Sequence, residues 1–194
     1  MDHFRTTRLI GRDWTAQDAP AAFGIYGRDE VMRWLGAQPR RAVASLSEMR
    51  DRLELMVERS RGEPEYGLWA LSLRAGPAGA VVGAVLLSPL PGETGDVEIG
   101  WHLNPDHWGN GYATEAGRGV VGLAFGLEQV GPESVQADAV AGRPVLDRVI
   151  ALVDPDNARS QAVCRRLGMT HLGQTDEYYG VTLELFELRR TDVC

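Results

Sequence analysis

The sequence predicts an α/β fold of the α+β kind, with a mixed, mostly antiparallel central sheet flanked by helices. Three observations carry that expectation. The apolar segments 68–74, 80–88 and 96–103 follow one another with turn residues between them, the pattern of an antiparallel meander. Directly behind them a glycine-rich loop at 108–113 opens a long amphipathic segment, 114–128. Further on, 149–153 is a continuous apolar run, the mark of a strand covered on both faces, and a short helix and two more strands follow it.

Residues 8–12 read as a short first strand, with Trp14 and Thr15 leading out of it. Thr15, Gln17 or Asp18 supplies a cap for a helix through Ala21, Ala22, Phe23 and Tyr26. A second helix starts from Ser47 as N-cap. Glu48 and Asp51 stand in its first turn, where the positive helix end favours carboxylates, and Met49, Leu53, Met56 and Val57 share one face. Gly62 ends it, with Pro64 just beyond. Gly76-Pro77 and the stretch 89–95 separate the meander strands. Along 114–128, Ala116, Val120, Leu123, Ala124 and Leu127 keep a helical period. Residues 131–144 are polar, rich in small residues and without a period, so they are expected as an extended loop. Beyond the 149–153 strand, Asp154-Pro155-Asp156-Asn157 turns the chain into a helix over 160–167, with Ser160 as a natural N-cap and Gly168 as its end. Strands at 169–175 and 181–188 complete the chain, and 1–194 is expected to form a single domain without internal repeats.

With 194 residues, 44% of them apolar and 24% charged, disorder and collagen-like repeats are excluded. Acids outnumber bases by 27 to 20, for a formal net charge of -7, which argues against a duplex nucleic-acid partner and suits a cationic or amine-bearing one. Two cysteines, Cys164 and Cys194, are too few for a disulfide framework or a four-ligand zinc site, so a reducing, cytoplasmic setting and no metal are expected. The first twelve residues hold no apolar signal core, and no apolar run approaches the roughly 20 residues of a membrane span.

From Trp101 to Ala116 a strand ends, a loop with Gly109 and Gly111 follows, and a helix begins at once. Glycines let backbone N–H groups converge, and a helix N-terminus adds partial positive charge, so the segment suits a phosphate or pyrophosphate; a mere turn is the other reading. It is not a Walker loop, because Tyr112-Ala113 follows Gly111 where Lys and Ser or Thr are needed. Nor is it a dinucleotide fingerprint, whose acid about 20 residues on would here be Glu133, in a loop.

Glu98-Ile-Gly-Trp-His-Leu103 followed by Trp108-Gly-Asn-Gly-Tyr-Ala-Thr-Glu-Ala116 resembles the acyl-CoA-binding segment of the GNAT-superfamily N-acetyltransferases. The RimJ/RimL-like branch, the ribosomal-protein N-terminal acetyltransferases, is the most similar. Ile150-Ala-Leu-Val-Asp-Pro-Asp-Asn157, Ser160, Arg166-Leu-Gly-Met169 and the opening Thr7-Arg8-Leu9 extend the likeness, in order, over nearly the whole chain. The resemblance implies a sheet splayed at the acyl-CoA site. It also implies transfer of an acetyl group from acetyl-CoA to a primary amine by direct attack in a ternary complex. The favoured acceptor is the α-amine of a protein or peptide N-terminus, ahead of a small-molecule amine.

Carried over residue by residue, Trp108, Gly109, Asn110, Gly111, Tyr112 and Ala113 would cradle the coenzyme A pyrophosphate, and Thr114 would add a hydroxyl. Trp101, His102 and Leu103 would pair with the pantetheine arm through main-chain groups, Asn157 would hydrogen-bond it, and Ser160 would lie near the thioester sulfur. Glu98 is the implied general base; an exposed strand carboxylate is the bland reading of it, and His102 and His107 are rival bases. Ser160, or a water it orients, would protonate the departing thiolate. Two positions depart from the pattern. Trp108 replaces the usual Gln or Arg, and Cys164 stands where many members have a tyrosine that protonates the thiolate; Cys164 reads as a core residue. Tyr178 and Tyr179 either line a substrate pocket or pack on the surface. A non-catalytic coenzyme A-binding sensor or regulatory module is the rival of another class, a nucleotide-binding enzyme a third, and a homodimer is compatible with each.

Overall fold

Among the described residues a nine-stranded sheet organises the chain. The computed structural model describes residues 1–36, 38–62, 65–75, 80–92, 95–137 and 143–193. Its strands are β1 (Asp2–Arg5), β2 (Leu9–Arg12), β3 (Gly67–Leu73), β4 (Val81–Pro89), β5 (Val97–Leu103), β6 (Gln129–Val130), β7 (Glu133–Ser134), β8 (Gln136–Ala137), β9 (Arg148–Val153), β10 (Thr170–Thr175) and β11 (Leu183–Arg189). The helices are α1 (Ala19–Tyr26), α2 (Asp29–Met32), α3 (Leu46–Gly62), α4 (Tyr112–Phe125) and α5 (Ala158–Arg166). The sheet order is β10-β11-β9-β5-β4-β3-β2-β1-β8, while β6 and β7 form a separate hairpin.

Neighbouring strands of the large sheet are antiparallel except β5 and β9, which run parallel. Among the described residues that parallel pair is joined at Glu98 and Ile150 alone. Beyond it the two strands diverge, and the sheet opens in the middle as the sequence resemblance implies.

Helices cover both faces. On one, Val120, Val121, Ala124 and Phe125 of α4 pack on Phe4, Leu9, Leu71, Val85 and Ile99, with Val163 and Cys164 of α5 alongside. On the other, Ile25 and Tyr26 of α1 and Met49 and Leu53 of α3 pack on Ala70, Val81 and Ala84. Strand alternation then sorts β5: Val97, Ile99 and Leu103 turn to α4, which leaves Glu98, Gly100 and His102 for the opposite face. The close fit of α4 requires Gly119, where a Cβ would lie 2.3 Å from the Phe4 ring.

Several boundaries differ from the sequence expectations. β1 and the one-turn α2 carry no local signal, and β1 exists through its ladder with β2. The cap of α3 is Ser45 rather than Ser47: Ser45 Oγ accepts the Glu48 N–H at 3.1 Å. Glu48 in turn accepts the Ala44 N–H at 2.9 Å, so the serine three residues before a glutamate wins. α4 starts two residues before 114, at Tyr112, and stops at Phe125 because Gly126 takes the left-handed conformation. α5 starts at Ala158, with Asn157 as its cap, so Ser160 lies inside the first turn. The stretch 131–144 is not loop throughout: β7 closes a hairpin on β6, and β8 pairs with β1 at the sheet edge. These two-residue strands answer to distant partners and so leave no periodicity. Pro64, Gly76-Pro77, residues 138–142 and Cys194 lie outside the described residues. Among the described residues no helix is long and apolar enough to cross a membrane, and no cluster of His, Cys, Asp or Glu is placed to hold a metal ion.

Candidate active site

Where β5 and β9 part, a cleft of about 200 Å3 opens. β5 contributes Glu98, Trp101 and His102 to its walls, and Asn157 and Ser160 come from the start of α5. Tyr179 comes from the 176–182 connection, and Trp34, Leu35 and Arg40 come from the segment between α2 and α3.

Glu98 is the second residue of β5 and is 7% exposed, so it is not the exposed strand carboxylate of the bland reading. Its Oε2 accepts the Tyr179 hydroxyl at 2.5 Å. Burial pushes the Glu98 carboxyl up to about 7, and the Tyr179 hydrogen bond pulls the other way by favouring the ionised form. Near neutral pH such a group gives and takes a proton at little cost. Tyr179 is held in the left-handed region, φ 58°, beside Gly180 at φ 66°, and burial raises its hydroxyl above the ordinary tyrosine value. Tyr178 has the other fate: it is buried, packs with Leu90 and Ile150, and donates to Asp96 Oδ2 at 2.7 Å.

His102, two residues along β5 on the same face, is half-buried, and its Nδ1 lies 3.1 Å from the Tyr26 hydroxyl. Burial lowers its pKa to about 4, so at neutral pH it is an uncharged and weak base. His107 belongs to the 3-10 turn Pro105–His107 and is not among the cleft-lining residues. Of the three candidate bases, Glu98 alone combines a place in the cleft with a near-neutral pKa.

The glycine loop is built from its own side chains. Trp108 Nε1 donates to the Leu103 carbonyl at 3.0 Å, and Asn110 Nδ2 donates to the His107 carbonyl at 3.1 Å. Gly109 and Gly111 stand at φ 81° and 79°, where side chains are disfavoured. Gly111 is the N-cap of α4, so the amides of Tyr112, Ala113 and Thr114 are first-turn donors without helical acceptors, the arrangement that receives anions. Thr114 is buried, and its Oγ1 accepts Arg166 Nε at 3.1 Å.

Several residues that sequence reasoning passed over hold this loop. Glu115, 2% exposed, accepts Thr6 Oγ1 and the Arg8 N–H at 2.7 Å each and Arg8 Nε at 2.6 Å. Arg8 also donates to the Asn110 carbonyl at 3.0 Å and stacks on Tyr112, while Arg159 stacks on Trp108, each 4.7 Å from the ring centre. Three guanidinium groups, Arg8, Arg159 and Arg166, therefore touch the loop. Glu115 and Arg8 both stand inside the quoted motifs, so the residues were in view although their pairing was not. Arg40 was missed outright. It bridges Asp154 at 2.5 Å and donates to the Arg33 and Gly36 carbonyls, holding the Trp34–Leu35 segment over the cleft.

At the far end of the site, Asn157 Oδ1 accepts the Ser160 N–H at 3.2 Å, which seats Ser160 on the cleft wall. Cys164 is fully buried, its thiol is pushed up to about 12 by burial, and it packs in the core away from the cleft, as the sequence suggests.

The family model described as an acetyltransferase (GNAT) domain matches residues 8–170. The uncharacterized N-acetyltransferase YoaA of Bacillus subtilis is 27% identical over 173 residues, covering 89% of this chain and 85% of that protein. The crystal structure of a GNAT-family acetyltransferase from Bacillus anthracis matches with a TM-score of 0.72 at 19% identity, covering 98% of this chain and 99% of that one. RimL, the ribosomal L7/L12 α-N-protein acetyltransferase solved in complex with coenzyme A, matches with a TM-score of 0.67 at 17% identity over 94% of each chain. These two structural likenesses carry the fold: a mixed sheet between helices.

Proposed function

The chain belongs to the GNAT acetyltransferase family, and on that premise we propose that it acetylates the α-amine of a protein or peptide N-terminus. It is an acetyl-CoA-dependent acetyltransferase. The observation that carries the acceptor reading is Glu98, buried where β5 and β9 part and raised to about 7. An α-amine has a pKa of about 7.7–8.0, so handing its proton to such a carboxylate costs only about 1 kcal/mol. A lysine amine, at about 10.4, costs roughly 4–5 kcal/mol. The name of RimL, an α-N-protein acetyltransferase, supports the same choice.

Each residue then has a task. The Trp108–Thr114 loop, with its open helix-end amides and three guanidinium neighbours, fits the pyrophosphate of coenzyme A. The side of β5 that faces away from β4 at Trp101–Leu103, where the Leu103 carbonyl is already held by Trp108, offers its remaining main-chain groups to the pantetheine arm, and Asn157 offers its side-chain amide. Glu98 takes the amine proton, directly or through one water, as the amine attacks the thioester carbonyl. Ser160, or a water bound to it, returns a proton to the thiolate, which needs little help because a free thiol has a pKa of about 8.5. The sensor reading is not favoured, since a module that only binds has no use for a buried, half-ionised carboxylate.

The test is release of free coenzyme A from acetyl-CoA across a panel of amines. Peptides with free N-termini, the same peptides blocked and carrying lysine, and small amines are compared. Faster turnover with free N-termini is expected. A preference for lysine overturns the acceptor assignment, and tight acetyl-CoA binding with no thiol release from any amine restores the sensor.

A further inference from the structure

Glu98 spends one carboxylate oxygen, Oε2, on the hydroxyl of Tyr179, while Oε1 has no protein partner among the described residues. We propose that Tyr179 is a positioning residue for this carboxylate: its hydroxyl anchors Oε2 to the last hairpin and leaves Oε1 to meet the amine. The inference rests on the acetyl transfer with Glu98 as base set out above, and it adds a residue from a different part of the chain.

The hairpin geometry is the first support. Among the described residues Tyr179 is the sole non-glycine at positive φ, and Gly180 beside it is left-handed as well. An L residue is disfavoured there and persists where its surroundings over-determine it. Tyr178 supplies that constraint: its ring is buried against Leu90 and Ile150, and its hydroxyl is fixed on Asp96. With Tyr178 anchored inward, Tyr179 reaches the neighbouring cleft, where it is still 40% exposed at its outer edge.

The second support is the state of the other polar groups around Glu98. His102, on the same face of β5, is engaged with Tyr26 and uncharged at neutral pH. Arg40, across the cleft, is committed to Asp154. Asp96, two residues back on the chain, holds Tyr178 and Arg148. Among the described residues no ion pair includes Glu98, so the Tyr179 hydroxyl is the group that orients it. Without that bond the terminal carboxylate torsion is broad and two-fold, and neither oxygen is assigned to the substrate. The raised pKa of the Tyr179 hydroxyl keeps it a donor throughout the working range.

Tyr179→Phe removes the hydroxyl and keeps the ring. Glu98 is titrated by NMR in protein with carbon-13-labelled glutamate, its signal assigned by its loss in Glu98→Gln. In parallel, kcat and kcat/KM are followed by thiol release from about pH 6 to 9. The midpoint of Glu98 is expected to rise by about one pH unit in Tyr179→Phe, because a hydrogen bond to the charged form is lost. The acid limb of kcat should move with it, leaving the rate about tenfold lower near pH 6 and converging with wild type near pH 9, at unchanged acetyl-CoA affinity. An unmoved midpoint, or a uniform loss of rate at every pH, overturns the positioning role. Glu98→Gln keeps the two readings apart. If that variant retains full activity, Glu98 is not the base, and the NMR midpoint in Tyr179→Phe still decides whether Tyr179 holds the carboxylate.

Discussion

Replacing Glu98 by glutamine separates the stability cost of a buried carboxylate from the catalytic value proposed for it. The carboxyl rises from an ordinary 4.5 to about 7 in the folded protein. At about 1.4 kcal/mol per pH unit, that rise makes ionised Glu98 a burden of about 3 kcal/mol on the fold. Its sign follows from proton binding. Between pH 4.5 and 7 the folded chain keeps a proton that the unfolded chain releases, so the stability contribution is complete below 4.5 and is lost as pH rises through about 7. Glutamine fills the same space, still accepts the Tyr179 hydroxyl and never ionises. In urea unfolding the variant should therefore match wild type near pH 4.5 and exceed it by up to about 3 kcal/mol near pH 8. The same variant should lose about 10²–10⁴-fold in kcat/KM near pH 8 as the base disappears. Below about pH 7 the activity deficit should level off. Wild type then loses a factor of ten per pH unit through protonation of Glu98, and the variant loses the same factor through protonation of the amine. A variant no more stable than wild type near pH 8 would show that the carboxyl is not raised. Activity within a few-fold of wild type across pH 6–9 would remove Glu98 from the mechanism.

Gly111→Val should weaken acetyl-CoA binding at least tenfold with native circular dichroism. A Cβ there would meet only an Arg8 nitrogen at 3.6 Å, so the damage comes from a β-branched residue forced to φ 79° rather than from a clash, and unchanged affinity in calorimetry refutes the loop assignment. Cys164→Ala should cost about 1 kcal/mol of stability and keep activity, while Ser160→Ala should lower kcat about tenfold with the fold intact; the reverse order in thiol-release assays would make Cys164 chemically engaged. Glu115→Ala strips the acceptor from Thr6 Oγ1 and from the N–H and Nε of Arg8, and should destabilise the protein by about 2–3 kcal/mol in urea unfolding, since the half-exposed Arg8 guanidinium is rehydrated. A loss below about 1 kcal/mol would show that water replaces the carboxylate at that site.

Features encoded within a few residues were legible in the chain. The meander strands were marked by their turn residues, α4 by its apolar period, and the loop by Gly109 and Gly111, whose positive φ values glycine alone adopts without cost. Asn157 and Ser160 both line the cleft, but Asn157 rather than Ser160 caps α5, since both residue types can cap and three-dimensional direction chooses between them. The short strands β1 and β8 were not legible, because a two- to four-residue strand is made by its partner: β1 forms on β2, and the edge strand β8 forms on β1, more than a hundred residues away in the chain. The contacts that finish the site have the same character. Arg8 and Glu115 are separated by 107 residues, Arg40 and Asp154 by 114, and Glu98 and Tyr179 by 81. What the sequence determined by itself was the order of the main elements and the glycine turn at 109–111, since propensity, capping and glycine conformation act locally. The tertiary structure alone decided that Glu98 loses its water, gains the Tyr179 hydroxyl and rises to about 7, because desolvation depends on everything packed around a group and on nothing adjacent to it in the chain.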